Sequence, residues 1–204
     1  MKHTFSTKKG TTGFTLVETL IAVGILMLAV VGPLVIAQKS LKSSSYTKNR
    51  VTAFYLAADA FEFIRNVRDN NTLLGGGWPG LVVSLSKCIS PNKCDVDTQF
   101  GPKSVVNTAD GGPAISICAI GTPVTCAPLN YYTGATLPYY GHSSGAATQI
   151  AISPFRREVS IAPINAASGV GRELLVKVSV IWKESILGGQ EKTITLYNEI
   201  YDWQ

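Results

Sequence analysis

Charge is scarce in this chain. Asp, Glu, Lys and Arg make up 15% of its 204 residues against 46% hydrophobic, a lean balance for a soluble protein whose length fits one ordinary domain plus an extra element. Acid is missing altogether from the first thirteen residues, which carry Lys2, Lys8 and Lys9. Without those lysines the net charge of +5 falls by three, to +2, so the basicity gives no ground for a nucleic-acid partner. Histidine is nearly absent, with His3 and His142 alone, and this removes most catalytic readings. Gly141-His142-Ser143-Ser144-Gly145 matches Gly-x-Ser-x-Gly, but that elbow needs a strand before it, a helix after it and a later histidine base. No histidine follows His142, Leu137 to Tyr140 makes a poor central strand, and Ala146 to Ile150 is too short for the helix. A serine-rich loop is the better reading. Neither a Gly-rich phosphate loop nor a helical metal motif occurs. Asp95, Asp97 and the Asp110-Gly111-Gly112 turn do not match the spacing of a calcium loop, so these carboxylates are expected to face water or make turns. The expectation is no enzyme, no cofactor and no metal.

What the chain has instead is one long apolar run. From Leu20 to Ala37 it reads LIAVGILMLAVVGPLVIA, 18 residues without a charge, and Phe14 to Thr19 extends the run upstream, interrupted by Glu18. Such a run is a membrane-span candidate, too long for an ordinary buried helix. The lysines before it favour a cytoplasmic N-terminus, and Lys39 and Lys42 close behind it weaken that signal. Gly24 and the pair Gly32-Pro33 lie inside the span, the pair being the expected kink. Beyond the run, Cys88, Cys94, Cys118 and Cys126 form two close pairs, Cys-x5-Cys and Cys-x7-Cys. Four cysteines allow three connectivities, which sequence does not choose among. Their even number outside a membrane-targeting segment favours disulfides from an oxidising compartment. Zinc is the competing reading, and the spacing does not suit it.

Three readings of the run compete: a cleaved secretory signal peptide ending at Val35-Ile36-Ala37, a plain anchor, and a third that rests on its front end. Gly13-Phe14-Thr15-Leu16-Val17-Glu18 resembles the prepilin signal, and on residues 8 to 37 the chain resembles a type IV pilin-like protein. The resemblance implies that a leader peptidase cuts between Gly13 and Phe14 and that the new terminal Phe14 is N-methylated. A carboxylate at the bilayer centre costs about 2.5–3.5 kcal/mol. The resemblance assigns Glu18 a partner, the Phe14 amine of a neighbouring subunit. The alternative is that Glu18 rests at headgroup level on the helix N-terminal dipole.

Residues 38 to 50 are polar and serine-rich, after which helical spacing returns with Val51, Phe54, Ala58, Phe61, Ile64 or Arg65, and Val67 or Arg68. That stripe needs a sheet to cover it. The reading is one helix from Phe14 to about Arg68, ended by Asp69-Asn70-Asn71 and Gly75 to Gly77, with a break at Ser43 to Ser45 as the alternative. The expected layout is a leader (1-13), an apolar helix half (14-37), an amphipathic half (38-70) and a β-rich head (71-204) with a cysteine-bearing insert at about 75-150. Short strands are expected at Leu81 to Leu85 and Ile115 to Ile120. Longer ones are expected at Arg157 to Ile161, at Leu174 to Trp182 with Val176, Val178, Val180 and Trp182 on one face, and at Lys192 to Trp203, the last two joined by a hairpin loop from Glu184 to Glu191. The fold class is α+β, a long helix on an antiparallel sheet of three or four strands. Tyr131, Tyr132, Tyr139 and Tyr140 form an aromatic loop that suits either an interface or a sheet edge.

The strand order also resembles minor pilins of the modification type. The irregular cysteine-bearing insert and the lack of a C-terminal cysteine pair depart from the major-pilin pattern. The resemblance implies a structural subunit, a minor pilin or pseudopilin, waiting in the bacterial inner membrane among lipid before entering a filament. Implied partners are other pilin subunits, the prepilin peptidase and the inner-membrane assembly platform, with an ATPase driving assembly. The rival is a secreted or anchored binding protein.

Overall fold

A computed structural model describes residues 13–98, 115–119, 124–133, 138–142, 148–164, 171–183 and 189–202. Residues 1–12 of the leader, Asp110, Ser143 to Gly145 and most of the Glu184 to Glu191 loop therefore lie outside the described residues. The chain is α+β, with a long helix packed with an antiparallel sheet. Helix α1 runs Leu16–Leu73. It contributes to two units, Met1–Ser45 and Tyr46–Gln204.

In the second unit, α1 buries Ala53, Leu56, Ala57, Ala60, Phe61, Phe63, Ile64 and Val67. These recur at three and four residues, one face of a 3.6-residue period. The sheet thus covers a stripe rotated from the expected one. Val51 and Phe54 fall off it and stay about half exposed, at 49% and 48%, because Ala53, Leu56 and Ala57 let the backbone approach where Phe54 would not fit. The helix also outlasts Asp69-Asn70-Asn71. Asn71 stays helical by donating its side-chain amide to the Val67 carbonyl at 2.7 Å. Gly75 ends the element at φ +77°, a backbone conformation glycine adopts without steric cost.

The strand expected at Leu81 to Leu85 is a helix. Helix α2 spans Gly77–Ser84. A strand would put residues 81, 83 and 85 on one face, yet Leu81 and Leu85 are fully buried while Val83 is 73% exposed, which is i, i+4 spacing. Pro79 sits in the first turn, where its missing N–H costs nothing.

Seven strands follow among the described residues: β1 Cys94–Val96, β2 Ile115–Ile117, β3 Pro128–Thr133, β4 Tyr139–Gly141, β5 Thr148–Pro163, β6 Glu173–Lys183 and β7 Glu191–Tyr201. The strand pairings are antiparallel throughout. The three long strands form the meander β5-β6-β7, with Phe155↔Trp182 and Lys183↔Glu191 in register. The opposite edge of β5 is shared: its first half pairs β3, which pairs β4, while Val159 pairs Cys94 of β1, which pairs β2. The sheet thus exceeds the three or four strands expected, since three-residue strands show no alternation to read. Leu174, Val176, Val178, Val180 and Trp182 face inward together as their alternation demands, joining Phe155, Val159, Ile161 and the helix stripe in one core. Two disulfides, Cys88–Cys94 and Cys118–Cys126, pair neighbours in sequence. The first ties a turn of 3-10 helix at Ser86–Cys88 to β1. The loops they close are short, so each stabilises by about 2 kcal/mol in the chain-entropy picture.

The rotated stripe predicts unequal costs for two phenylalanines nine residues apart. Phe63→Ala is expected to destabilise the head by about 3–5 kcal/mol, and Phe54→Ala by about 1 kcal/mol or less. Denaturant unfolding followed by tryptophan fluorescence measures both.

Candidate functional site

The first unit has no buried residue from Gly13 to Ser45. An 18-residue window of α1 has mean hydropathy 2.8, and none of it is buried among the described residues. A helix apolar on every side is at rest only in lipid or among other apolar helices. The length and composition suffice to cross a membrane. Between Glu18 and Lys39 there is no charge.

The front end of this helix is built by Thr15. Its hydroxyl accepts the Glu18 backbone N–H at 3.3 Å, and its carbonyl accepts the Thr19 N–H at 3.2 Å. Thr15 is therefore the N-cap and Glu18 the third helical residue, the sequence pattern of a capping box of which the Thr15 half is formed. The local signal for this is Thr15-x-x-Glu18, which starts the helix at Leu16, two residues later than the expected Phe14. Glu18 lies in the first turn, where the helix dipole favours an anion. Gly13 and Phe14 precede the helix and are exposed, Phe14 at 79%. The peptide bond between them is thus in a non-helical segment, a form a peptidase can engage. Farther along, α1 continues through Gly24, Gly32 and Pro33 and through Ser43 to Ser45. A side-chain carbon added at Gly24 or Gly32 would meet nothing within 4 Å, so each leaves a shallow, uncovered notch.

The second concentration of chemistry lies inside the head, and the sequence reading missed it. Arg157 is fully buried. Its guanidinium donates to Asp95 Oδ1 at 3.1 Å, to the Leu56 carbonyl of α1 at 3.1 Å and to the Val96 carbonyl, and it lies 3.5 Å from Asp59 Oδ2. One side chain thus joins β5, β1 and α1. Asp95 and Asp97, expected to face water or make turns, are both buried, at 4% and 5% exposure, and Asp95 lies within strand β1. A buried guanidinium needs a buried counter-charge, and Asp95 supplies it. The available signal was alternation, because Arg157 shares parity with Phe155, Val159 and Ile161 on the inward face of β5.

His142, just past β4, completes the cluster by bonding the other oxygen of Asp95 through Nε2. That bond holds the His142 pKa above its ordinary value, helped by the charges of Asp95 and Asp97 and opposed by burial and by Arg157. Gly141 ends β4, Ser143 to Gly145 of the Gly-x-Ser-x-Gly match lie outside the described residues, and His142 is committed to Asp95. Among the described residues no group of three or more His, Cys, Asp or Glu could hold a metal ion. The four tyrosines form cross-strand pairs of the β3–β4 hairpin: Tyr131 with Tyr140 and Tyr132 with Tyr139, each 5.1 Å between ring centres. Tyr132 is buried and Tyr140 packs edge-on against Phe155, so half of this set is core.

Comparison with protein-family models, with curated proteins and with solved structures found no match.

The raised His142 pKa fixes a pH dependence. The stabilisation from protonated His142 is complete below its unfolded value, about 6.5, and is lost as pH rises through the folded value. Thermal unfolding of the head is expected to shift to lower temperature above neutral pH, and His142→Gln should flatten that slope.

Proposed function

We propose that this chain is a structural subunit of a type IV pilus or related secretion or uptake filament, a minor pilin or pseudopilin matured by leader cleavage at Gly13–Phe14. One observation carries the reading. The helix begins three residues past Gly13, carries a lone acid in its first turn, and then presents twenty uncharged residues that nothing among the described residues covers. An ordinary signal peptide has no use for that acid. A filament does: cleavage creates a cationic amine on Phe14, and a neighbour's amine lying beside Glu18 neutralises it while fixing the stagger between subunits. N-methylation keeps the charge. Before assembly the apolar half rests in the inner membrane with the leader inside and the head beyond it, an oxidising location consistent with two disulfides. The partners are other pilin subunits, the prepilin peptidase and the assembly platform.

The Thr15 cap favours a second reading, a head anchored singly in the membrane, because it seats Glu18 on the helix dipole without a partner. The two differ at the mature N-terminus. Mass spectrometry of the native chain is expected to find a start at methylated Phe14; a start at Gln38 or an intact Met1 would reject the filament reading. Glu18→Val separates the roles of the acid. Cleavage is expected to persist while incorporation into sheared filaments drops at least tenfold, whereas unchanged incorporation would remove the pairing role.

A further inference from the structure

No acid occurs between Glu18 and Asp59, although Lys39, Lys42, Lys48 and Arg50 all fall there. A surface kept in water by its charges usually mixes both signs; this stretch carries one sign over forty residues. Lys48 and Arg50 are exposed and, like Lys192 of β7, their side chains have no partner among the described residues. Asp59, the next acid along α1, lies 3.5 Å from Arg157.

The head gathers Lys48, Arg50 and Lys192 at one end. It begins at Tyr46, whose ring centre lies 6.3 Å from that of Trp182. Trp182 stands opposite Lys192 in the β6–β7 register, and directly opposed residues of a sheet point to the same face. Lys192 therefore projects beside the Tyr46–Trp182 contact, half-buried, its stem on apolar surface and its ammonium toward water. Arg50 is one helical turn past Tyr46 on the same side of α1, with Lys48 between them on another side. The neighbouring acid, Glu191, points to the opposite face of β7 by alternation, where it pairs with Arg156. The apolar run ends at Ala37, nine residues before Tyr46. That stretch spans at most about 30 Å however it is folded, so this end of the head is tethered near whatever receives the run.

We propose that this end of the head docks on the anionic phosphate headgroups of the bilayer that holds the span, through Lys48, Arg50 and Lys192. The inference rests on the reading that the apolar run sits in lipid. Lipid is then the anionic surface that the tether brings within reach, and Lys and Arg clustered beside a span are attracted to it. Tethering makes the contact intramolecular, so individually weak attractions suffice. Half-buried Tyr46 has the amphipathic ring that suits headgroup level.

The test uses the full chain in vesicles of phosphatidylcholine alone or with about one third phosphatidylglycerol, with a fluorophore on Thr193→Cys and a quencher on a fraction of the lipid headgroups. The four native cysteines are paired, which leaves the introduced thiol to take the label. Quenching is expected to be at least threefold greater with phosphatidylglycerol, and the difference to vanish in about 0.5 M salt, where surface charge is screened. Joint replacement Lys48→Gln, Arg50→Gln and Lys192→Gln should abolish the difference, while Arg50→Lys keeps it. Should the triple variant fail to fold, Arg50→Gln and Lys192→Gln decide singly, each expected to lose at least half of it. Quenching that is equal in the two lipids, or indifferent to these replacements, would overturn the proposal. An alkaline carbonate wash separates this from the membrane reading. A chain retained in both vesicles but blind to their composition removes the docking alone, and a chain washed from both removes the membrane reading with it. Binding of a DNA duplex that depends on the same cations, without a lipid effect, would assign the surface to nucleic acid instead.

Discussion

A helix that is apolar on every side cannot rest in water, and this constraint governs the first unit. From Leu20 to Ala37 nothing among the described residues covers the side chains, and no polar stripe would let them lie on an ordinary core. Lipid satisfies them, and so does a bundle of similar helices. Neither explains Glu18 alone. The Thr15 cap and the helix dipole lower the cost of the acid at the membrane surface, while a bundle deep enough to exclude water requires a countercharge. On the proposed reading the same residue serves both stages, tolerated at the headgroups first and paired later.

The head obeys a different constraint. Its short insert strands have too few residues to build a core of their own, and two disulfides and one buried ion cluster hold them. Arg157 is central because it ties its own strand β5 to two other elements: α1 through the Leu56 carbonyl, and β1 through the Asp95 carboxylate and the Val96 carbonyl. A hydrophobic residue there would pack at no desolvation cost but would join nothing by direction. The Cys88–Cys94 bridge ends on β1 as well, so covalent and ionic ties converge on one three-residue strand.

Where a physical pattern was long enough, it was legible in the residues. The apolar run, the alternation in Leu174 to Trp182 and the amphipathic second half of α1 all gave the right element. Phase and length were harder. Val51 and Phe54 look like core by spacing, and only the small Ala53 and Ala57 show which side a sheet can approach. Leu81 to Leu85 has β-branched composition, and Pro79 two residues earlier carries the helical signal. The cysteine pairing was open because spacing does not select a connectivity. Asp95 was misjudged since its partner lies 62 residues away, and charge pairing over that distance leaves no local trace. Glu18 was the reverse case, a single acid conspicuous for being the wrong residue in its surroundings.

On the proposed reading Glu18 meets the N-terminal amine of an adjacent subunit. Solid-state NMR tests this directly on filaments in which this chain alone carries 13C at the Glu18 carboxyl and its neighbours carry 15N at their terminal amines. Magnetisation transfer between the two is expected at a separation of about 4 Å, that of an ion pair. Absence of transfer, with the Glu18 carboxyl instead close to lipid headgroups, would contradict it.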